Sequence, residues 1–189
     1  MVSRAEFEET LVSESAQEDR IVIFGALLAK TTGLCGSLVI VGGSAISVYT
    51  SGPYVSEGID FVGRRARITP TLARWGFRLD KKGSRPYWVR DDLGLVVDLV
   101  GRTRYAGLES HVRTFQTTYG PVRVAAPEDL VIRRLIFAKM EGREEYLNQA
   151  ALVFEQAGAG IDFGYLEALV RYEGVEDAYR ELRARARPN

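Results

Sequence analysis

The feature that most constrains this 189-residue chain is a short apolar run that ends in two glycines. Residues Ser37 to Val41 read SLVIV, which is typical of a buried strand, and Gly42-Gly43-Ser44 follows directly. Glycines permit a tight turn, and we expect a helix to begin near Ser44 and to end before Ser51-Gly52-Pro53. The free backbone N–H groups at such a helix N-terminus can bind a phosphate, although a Gly-Gly turn by itself is as often only a connection.

A second strand is predicted at Gly58 to Val62 (GIDFV), where Ile59 and Phe61 face one side and Asp60 the other. The 13 residues between Ser44 and Gly58 suffice for a short helix and a return loop, so Asp60 can come back beside the glycine turn. Asp98 is likewise a lone charge in the apolar run LVVDLV. Because an unpaired buried carboxylate is costly, each is expected to have a partner, either a metal ion or an arginine such as Arg90.

The remaining pattern predicts an α/β fold that becomes helical near residue 126. We therefore expect an α/β domain over 1–126, with an N-terminal helix, and a helical subdomain over 127–189. In the α/β domain we predict a helix from Ala5 to about Thr31 with a break near Gln17 to Arg20, and a helix over Thr69 to Trp75 with Thr69 as N-cap and Pro70 at its first position. Two strands over Pro86 to Gly101, joined by a turn at Asp91 to Gly94, and a strand over Val122 to Ala125 complete that domain. In the helical subdomain we predict three or four helices, about Glu128 to Met140, Glu144 to Gln156, Phe163 to Tyr172 and Glu176 to Arg187.

Composition excludes several classes of function. The 25 basic and 25 acidic residues cancel, so a global attraction for nucleic acid is not indicated, while a local basic patch stays open. The lone Cys35 excludes an intramolecular disulfide, and its apolar neighbours predict a buried, inert thiol. The acidic start lacks the layout of a secretory signal and no apolar run is long enough to span a membrane, so we expect a cytoplasmic protein that has no membrane partner.

Two further residue types receive structural interpretations. His111 is the only histidine and has no second histidine or cysteine nearby, so we expect a surface or structural residue rather than a zinc ligand. The aromatic residues Trp75, Tyr87 and Trp88 are expected to pack in the core or to line a cleft.

The turn and the two acids together resemble the nucleotidyltransferase superfamily, whose minimal fold is a mixed sheet flanked by helices. That family carries a hydrophobic-Gly-Gly/Ser turn, then a spacer, then Asp-hydrophobic-Asp/Glu, and a third carboxylate on a later strand. Val41-Gly42-Gly43-Ser44 matches the turn, Gly58-Ile59-Asp60 occupies the paired-acid position, and Asp98 resembles the third carboxylate.

Three segments of the chain resemble one bacterial branch of that superfamily, which is related to the nucleotidyltransferase toxins of abortive-infection systems. These segments are YTSGPYVSEGIDFV and the later PEDLVIRRLIFAK and DFGYLEALVRYEGVEDAYREL. The resemblance implies a site for an NTP and for Mg²⁺ or Mn²⁺. Asp60 and Asp98 would be the metal ligands and catalytic acids. Gly42, Gly43 and Ser44 would bind the triphosphate, and Lys139 would meet a phosphate.

The chain departs from the family pattern at two places. Gly58 stands where the first acid of the pair is expected, and strand alternation points the adjacent Glu57 to the opposite face unless a bulge re-aims it. Tyr146 and Gln149 lie where the branch carries an acidic segment.

Three hypotheses follow from these departures. The first is an active enzyme that moves a nucleoside monophosphate to a hydroxyl on a protein or RNA, as the toxin of a toxin-antitoxin pair with an antitoxin protein as partner would. The second is a catalytically inactive descendant that binds a nucleotide or a protein. The third is that the strand of Asp60 is purely structural, which predicts an ion pair between Arg90 and Asp98.

Overall fold

All the strands of the described residues end by Ala125, mixed with four α-helices, and the elements described beyond it are helices. The computed structural model describes residues 2–14, 16–81, 86–101 and 111–186. No helix within these ranges is long and apolar enough to cross a membrane. The helices are α1 (Arg4–Ser13), α2 (Gln17–Thr32), α3 (Gly42–Thr50), α4 (Arg65–Arg74), α5 (Pro127–Glu141), α6 (Glu144–Ala157), α7 (Phe163–Glu173) and α8 (Glu176–Arg185). The strands are β1 (Val39–Val41), β2 (Ile59–Val62), β3 (Arg78–Asp80), β4 (Tyr87–Arg90), β5 (Leu95–Val100), β6 (Val112–Thr117) and β7 (Gly120–Ala125).

The strands of the described residues form one mixed seven-stranded sheet in the order β3-β4-β5-β2-β1-β7-β6. Strand β2 lies near its centre, antiparallel to β1 on one side and parallel to β5 on the other. Helix α3 packs on β1 and β2, and α2 packs on α1, α3 and α4. The predicted fold class, a mixed sheet flanked by helices and followed by a helical segment, is confirmed.

The described residues divide into two compact units. The first contains the residues up to Gly101 together with Val112–Val124, and the second contains His111 and the residues from Ala125 onward. The sheet belongs to the first unit, and α5 to α8 form the second. The ends of the predicted domains, at residues 1 and 189, and the predicted helix end at Arg187 lie outside the described residues.

Aromatic side chains form the core between the N-terminal helices and the sheet. Phe7 of α1 stacks on Trp75 with ring centroids 4.3 Å apart, and Phe24 of α2 lies 5.7 Å from Phe61 of β2. All four rings are fully buried. The N-terminal helices therefore anchor β2 from its apolar face, and Trp75 is a core residue as predicted.

Helix α4 begins one turn earlier than the sequence predicted. It runs from Arg65, so Thr69 is not its N-cap and Pro70 lies inside it. Proline removes the hydrogen bond to the carbonyl four residues back, which belongs to Ala66. Both Ala66 and Pro70 are exposed, so water can satisfy that carbonyl, which explains how the helix tolerates the proline.

Cys35 and two strands also differ from expectation. Cys35 is exposed because it lies in the turn that follows the left-handed Gly33 at the end of α2, not in the strand beyond it. The pattern did not predict β3 and β6, which are the two edges of the sheet and are largely exposed. Edge strands need only one partner and little apolar surface, so period-two hydrophobicity is weak in them.

Arg90 links three elements of the first unit. Its guanidinium is only 4% exposed and donates to both carboxylate oxygens of Asp92, at 2.7 Å each. It also donates to Glu8 of α1 and to the carbonyl of Trp75. The hydrogen bond to Asp92 is the main cause that raises the pKa of Arg90. Arg90 is thus the partner of Glu8 and Asp92, and the expectation that it pairs with Asp98 is wrong.

We expect Arg90→Ala to lower the free energy of unfolding by about 2 kcal/mol, because hydrogen bonds to a buried charged group are lost and the Trp75 carbonyl is left without its donor. The matched control is Arg78→Ala, since Arg78 holds Asp80 and Asp91 from an exposed position and should cause little measurable loss. Urea unfolding of both variants checks this. Equal losses would contradict a special role for Arg90.

A buried carboxylate lies at the start of α5 in the second unit. Asp129 is 2% exposed, and the hydroxyl of Tyr165 donates to it at 2.9 Å. The ring of His111 stacks on Tyr165 with centroids 3.8 Å apart, so His111 is the exposed structural residue that the sequence predicted. Burial raises the pKa of Asp129 from its ordinary 3.8 to about 6, against the opposing hydrogen bonds from Tyr165 and the His111 backbone.

The raised pKa of Asp129 makes folding stability depend on pH. Asp129 ionises at lower pH in the unfolded chain than in the folded chain. The contribution of Asp129 to the free energy of unfolding is therefore fully present below about pH 4 and is lost as pH rises through about 6. Relative to Asp129→Asn, which cannot ionise, the native chain should lose up to roughly 3 kcal/mol between pH 4 and pH 7.5. Urea unfolding of the two proteins across that range measures the difference, and parallel pH profiles would refute it.

Candidate active site

The two acids predicted from the sequence are brought together by the central strands. Asp60 lies opposite Val41 in the antiparallel β1–β2 pair and directly beside Asp98 in the parallel β2–β5 pair. Residues in register on neighbouring parallel strands project to the same face, about 4.8 Å apart at the backbone. Both acids are half-buried, whereas their neighbours Ile59 and Val97 face the core. The two carboxylates therefore share one partly exposed face of the sheet.

The glycine turn lies against the first of these carboxylates. Gly42 adopts the left-handed conformation, with φ at +63°, which glycine adopts without strain. A Cβ placed on Gly42 would come within 2.3 Å of Oδ2 of Asp60. Both the turn and the close approach of the carboxylate thus require glycine, and Asp60 lies beside the turn as the spacing predicted.

Ser44 connects the turn to β2 through its side chain. It is fully buried, and its hydroxyl donates to the Val41 carbonyl at 2.8 Å while it accepts from the backbone N–H of Asp60 at 3.0 Å. One hydroxyl therefore ties the end of β1, the start of α3 and the backbone of Asp60 together. Since this hydroxyl is engaged within the fold, any contact of Ser44 with a phosphate falls to its backbone N–H.

Two hydroxyl groups that the sequence analysis did not identify lie beside the turn. A Cβ on Gly43 would be 2.9 Å from the Tyr54 hydroxyl and 3.1 Å from that of Ser56. The Ser47 hydroxyl holds their loop by donating to the Tyr54 carbonyl at 3.0 Å and accepting from the Ser56 N–H at 3.1 Å. The short spacer, which must fold back onto α3, was the one signal that could have placed these residues near the turn.

The described part of the chain brings no third carboxylate to the pair. Within the described ranges, no group of three or more His, Cys, Asp or Glu side chains is placed to hold a metal ion. Glu57 is exposed and precedes the first residue of β2, so it does not complete such a group. Gly58 consequently leaves a site with two acids.

The other predicted nucleotide ligand belongs to the helical unit. Lys139 is exposed near the end of α5, and its ammonium group donates to the Gly174 carbonyl at 2.7 Å. Tyr146 donates to Glu141, and the side-chain amide of Gln149 donates to Glu145, so both residues bond to acids of their own unit. The contact of Lys139 with a phosphate stays a prediction.

Comparison with known proteins adds evidence on the fold. No protein-family model matches the chain, and no curated protein sequence matches it either. Among solved structures, the crystal structure of ANT(2'')-Ia in complex with adenylyl-2''-tobramycin is similar, with a TM-score of 0.56 at 16% identity over 85% of this chain and 99% of that chain. The chain therefore has a nucleotidyltransferase-like α/β fold.

Two further structures have lower scores. A nucleotidyltransferase-like antigenic protein from Paracoccidioides brasiliensis has a TM-score of 0.48 at 15% identity, over 86% of this chain and 94% of that chain. The solution structure of the antibiotic-resistance factor ANT(2'')-Ia has a TM-score of 0.46 at 16% identity, over 84% and 98% of the two chains.

The close approach of Asp60 to Gly42 can be tested with two glycines of the same conformation. Gly94 has φ at +61°, and no atom lies within 4 Å of a Cβ placed on it. We expect Gly94→Ala to lower the free energy of unfolding by about 1 kcal/mol, from the left-handed backbone alone. Gly42→Ala should cost about 1–3 kcal/mol more, because the Asp60 carboxylate must move. Urea unfolding measures both losses. In an Asp60→Ala background the excess should vanish, and its persistence would show that the carboxylate is not what the Cβ meets.

Proposed function

We propose that this protein binds an NTP with a divalent cation and transfers its nucleoside monophosphate to a hydroxyl group. The observation that carries the proposal is the register of Asp60 with Asp98, together with the close approach of the Asp60 carboxylate to the Gly42-Gly43 turn. A phosphate-binding turn beside two carboxylates is what a triphosphate and its cation need. The nucleotidyltransferase fold of the chain supports the same assignment.

The triphosphate would bind at the N-terminus of α3. That helix begins at Gly42 and has no side-chain cap, so its first backbone N–H groups are available to phosphate oxygens. Gly42, Gly43 and Ser44 contribute these groups. We also assign Lys139 as a phosphate ligand, on the resemblance of its segment to the helical half of the toxin-like branch.

The donor set fits one Mg²⁺ or Mn²⁺. Mg²⁺ is commonly held by one or two carboxylates together with substrate phosphates, and Asp60 and Asp98 supply two carboxylates in register. When bound, such an ion offsets negative charge on the phosphates during transfer. Asp60 and Asp98 would hold the cation in place, and the Ser44 hydroxyl fixes the backbone of Asp60.

In the proposed reaction the acceptor hydroxyl oxygen forms a bond to the α-phosphorus of the NTP. The bond from that phosphorus to the oxygen bridging to the β-phosphate breaks, and pyrophosphate leaves. The Asp98 carboxylate takes the proton of the acceptor hydroxyl, since it lies next to Asp60 on the exposed face.

A protein that binds the nucleotide without transferring it is the second candidate. The observation that favours it is the absence of a third carboxylate from the described part of the site, where Gly58 stands. The two candidates share the turn, the two acids and the cation. They differ only in whether a labelled nucleotide becomes covalently attached to an acceptor.

The proposed acceptor is a hydroxyl on a protein or RNA, which would make this chain the toxin of a toxin-antitoxin pair, held in check by an antitoxin protein in the cytoplasm. This assignment rests on the resemblance of the loop before Asp60 and of the later helical segments to that branch. The ANT(2'')-Ia structure, which holds an adenylylated tobramycin, adds a small-molecule hydroxyl as an alternative acceptor to be tested.

The transfer assay uses each α-labelled NTP with Mg²⁺ or Mn²⁺ and, separately, total tRNA, cell protein and tobramycin. We expect label to reach one acceptor class, and Asp60→Asn or Asp98→Asn to lower the rate at least about a hundredfold, because each removes a carboxylate from the cation. Asp177→Asn is the matched control, since its carboxylate lies on the exposed surface of α8.

The outcomes separate the candidates. NTP binding by calorimetry with no transfer to any acceptor would favour the binding protein. Absence of both binding and transfer in the native chain would refute the proposal, and so would transfer that survives in both Asn variants.

A further inference from the structure

An apolar side chain lies against the position of the missing carboxylate. Gly58 directly precedes β2, and Asp60 is the second residue of that strand. A Cβ on Gly58 would lie 3.4 Å from both Cβ and Cγ1 of Val96 and 3.2 Å from the Val96 carbonyl oxygen. Val96 in turn precedes Asp98 by two residues and is half-exposed on the same face. Gly58 and Val96 therefore lie against each other where a third acid would stand.

This packing changes what the site can hold. Paired cations in a phosphoryl-transfer site lie about 3.5–4 Å apart and are stabilised by carboxylates that reach both of them. Here the described site offers only two carboxylates, and the methyl groups of Val96 flank the place of a third. An apolar side chain cannot offset the repulsion between two divalent ions, so the donor set does not fit a pair.

We infer that the site takes a single divalent cation, shared by Asp60 and Asp98, and that Val96 closes the position of a second. The inference rests on the proposed function, since it concerns the cation that accompanies the nucleotide. The contact between Gly58 and Val96 also accounts for a glycine at position 58, because a larger residue there would press on Val96 and on its carbonyl oxygen.

The same geometry makes cation binding depend on the nucleotide. Two carboxylates leave most of the coordination positions of Mg²⁺ or Mn²⁺ to water, and Mg²⁺ gives up its water reluctantly. The phosphate oxygens held at the Gly42-Gly43 turn would complete the coordination shell. The cation and the nucleotide should thus bind together more tightly than either binds alone.

The inference is tested by counting bound Mn²⁺ with electron paramagnetic resonance. The native protein is titrated with MnCl₂ alone and then in the presence of each α,β-methylene NTP analogue, which cannot be cleaved at the reacting bond. Mn²⁺ held by analogue alone is subtracted with a protein-free titration. We expect one Mn²⁺ per chain with the analogue, weaker binding without it, and loss of that Mn²⁺ in Asp60→Asn and Asp98→Asn.

A carboxylate at position 96 should restore the second cation. Val96→Asp places the acid on β5 where Gly58 leaves room for it, and it should raise the count from one Mn²⁺ to two with the analogue bound. Val96→Asn, which has the same shape without the charge, should stay at one. Gly58→Asp/Val96→Ala supplies the acid from the other strand, with Gly58→Ala/Val96→Ala as its control. Urea unfolding confirms that each variant is folded before the count is made.

The outcomes distinguish this inference from the proposed function. Two Mn²⁺ on the native chain, or one Mn²⁺ in both folded Asp variants, would overturn the inference while leaving nucleotide transfer intact. One Mn²⁺ on the native chain without transfer to any acceptor would support the inference and point to the binding protein. Failure of the native chain to bind either Mn²⁺ or an analogue would overturn the inference and the proposed function together.

Discussion

The hydroxyl of Ser44 is the interaction on which the rest of the candidate site depends. It bonds to the carbonyl of Val41 at the end of β1 and to the backbone N–H of Asp60 in β2, and it is fully buried. The glycine turn and the strand of the first acid are thereby held together through one hydroxyl. β5 then places Asp98 beside Asp60 through the register of a parallel strand pair. Three separate segments of the chain meet at one place because one buried hydroxyl and two strand registers determine their positions.

The charges of Asp60, Asp98 and Arg90 have separate roles in this arrangement. Two carboxylates in register on neighbouring strands repel each other, and a bound cation would offset that repulsion. Arg90, the arginine that could have neutralised Asp98 on sequence grounds, is instead committed to Asp92, Glu8 and the carbonyl of Trp75. The buried guanidinium thus holds α1 against the sheet, while Asp60 and Asp98 stay half-buried on one face of that sheet. Stability and the proposed chemistry depend on different charges, so variants at Arg90 and at Asp60 report on different properties.

Much of the fold could be predicted because its central elements carry strong local patterns. The apolar runs of β1 and β5, the turn before β5 and the helices from Pro127 onward all follow from periodicity and from glycine and proline positions. The errors occurred where local pattern is weak. The edge strands β3 and β6 are largely exposed, and α4 continues through Pro70, where both Pro70 and Ala66, whose carbonyl loses its donor, are exposed residues.

The sequence by itself determined that a strand ends in a glycine turn, and that Asp60 and Asp98 each interrupt an apolar strand with a charge. Those features are local, and alternation along a strand is enough to reveal them. Only the tertiary structure decided which residues meet across strands and loops: Asp98 beside Asp60, Val96 against Gly58, and the hydroxyls of Tyr54 and Ser56 at Gly43. The physical reason is that strand register and loop closure are set by packing between segments distant in sequence, and a one-residue change in the register of β5 would point Val96 and Asp98 to the opposite face.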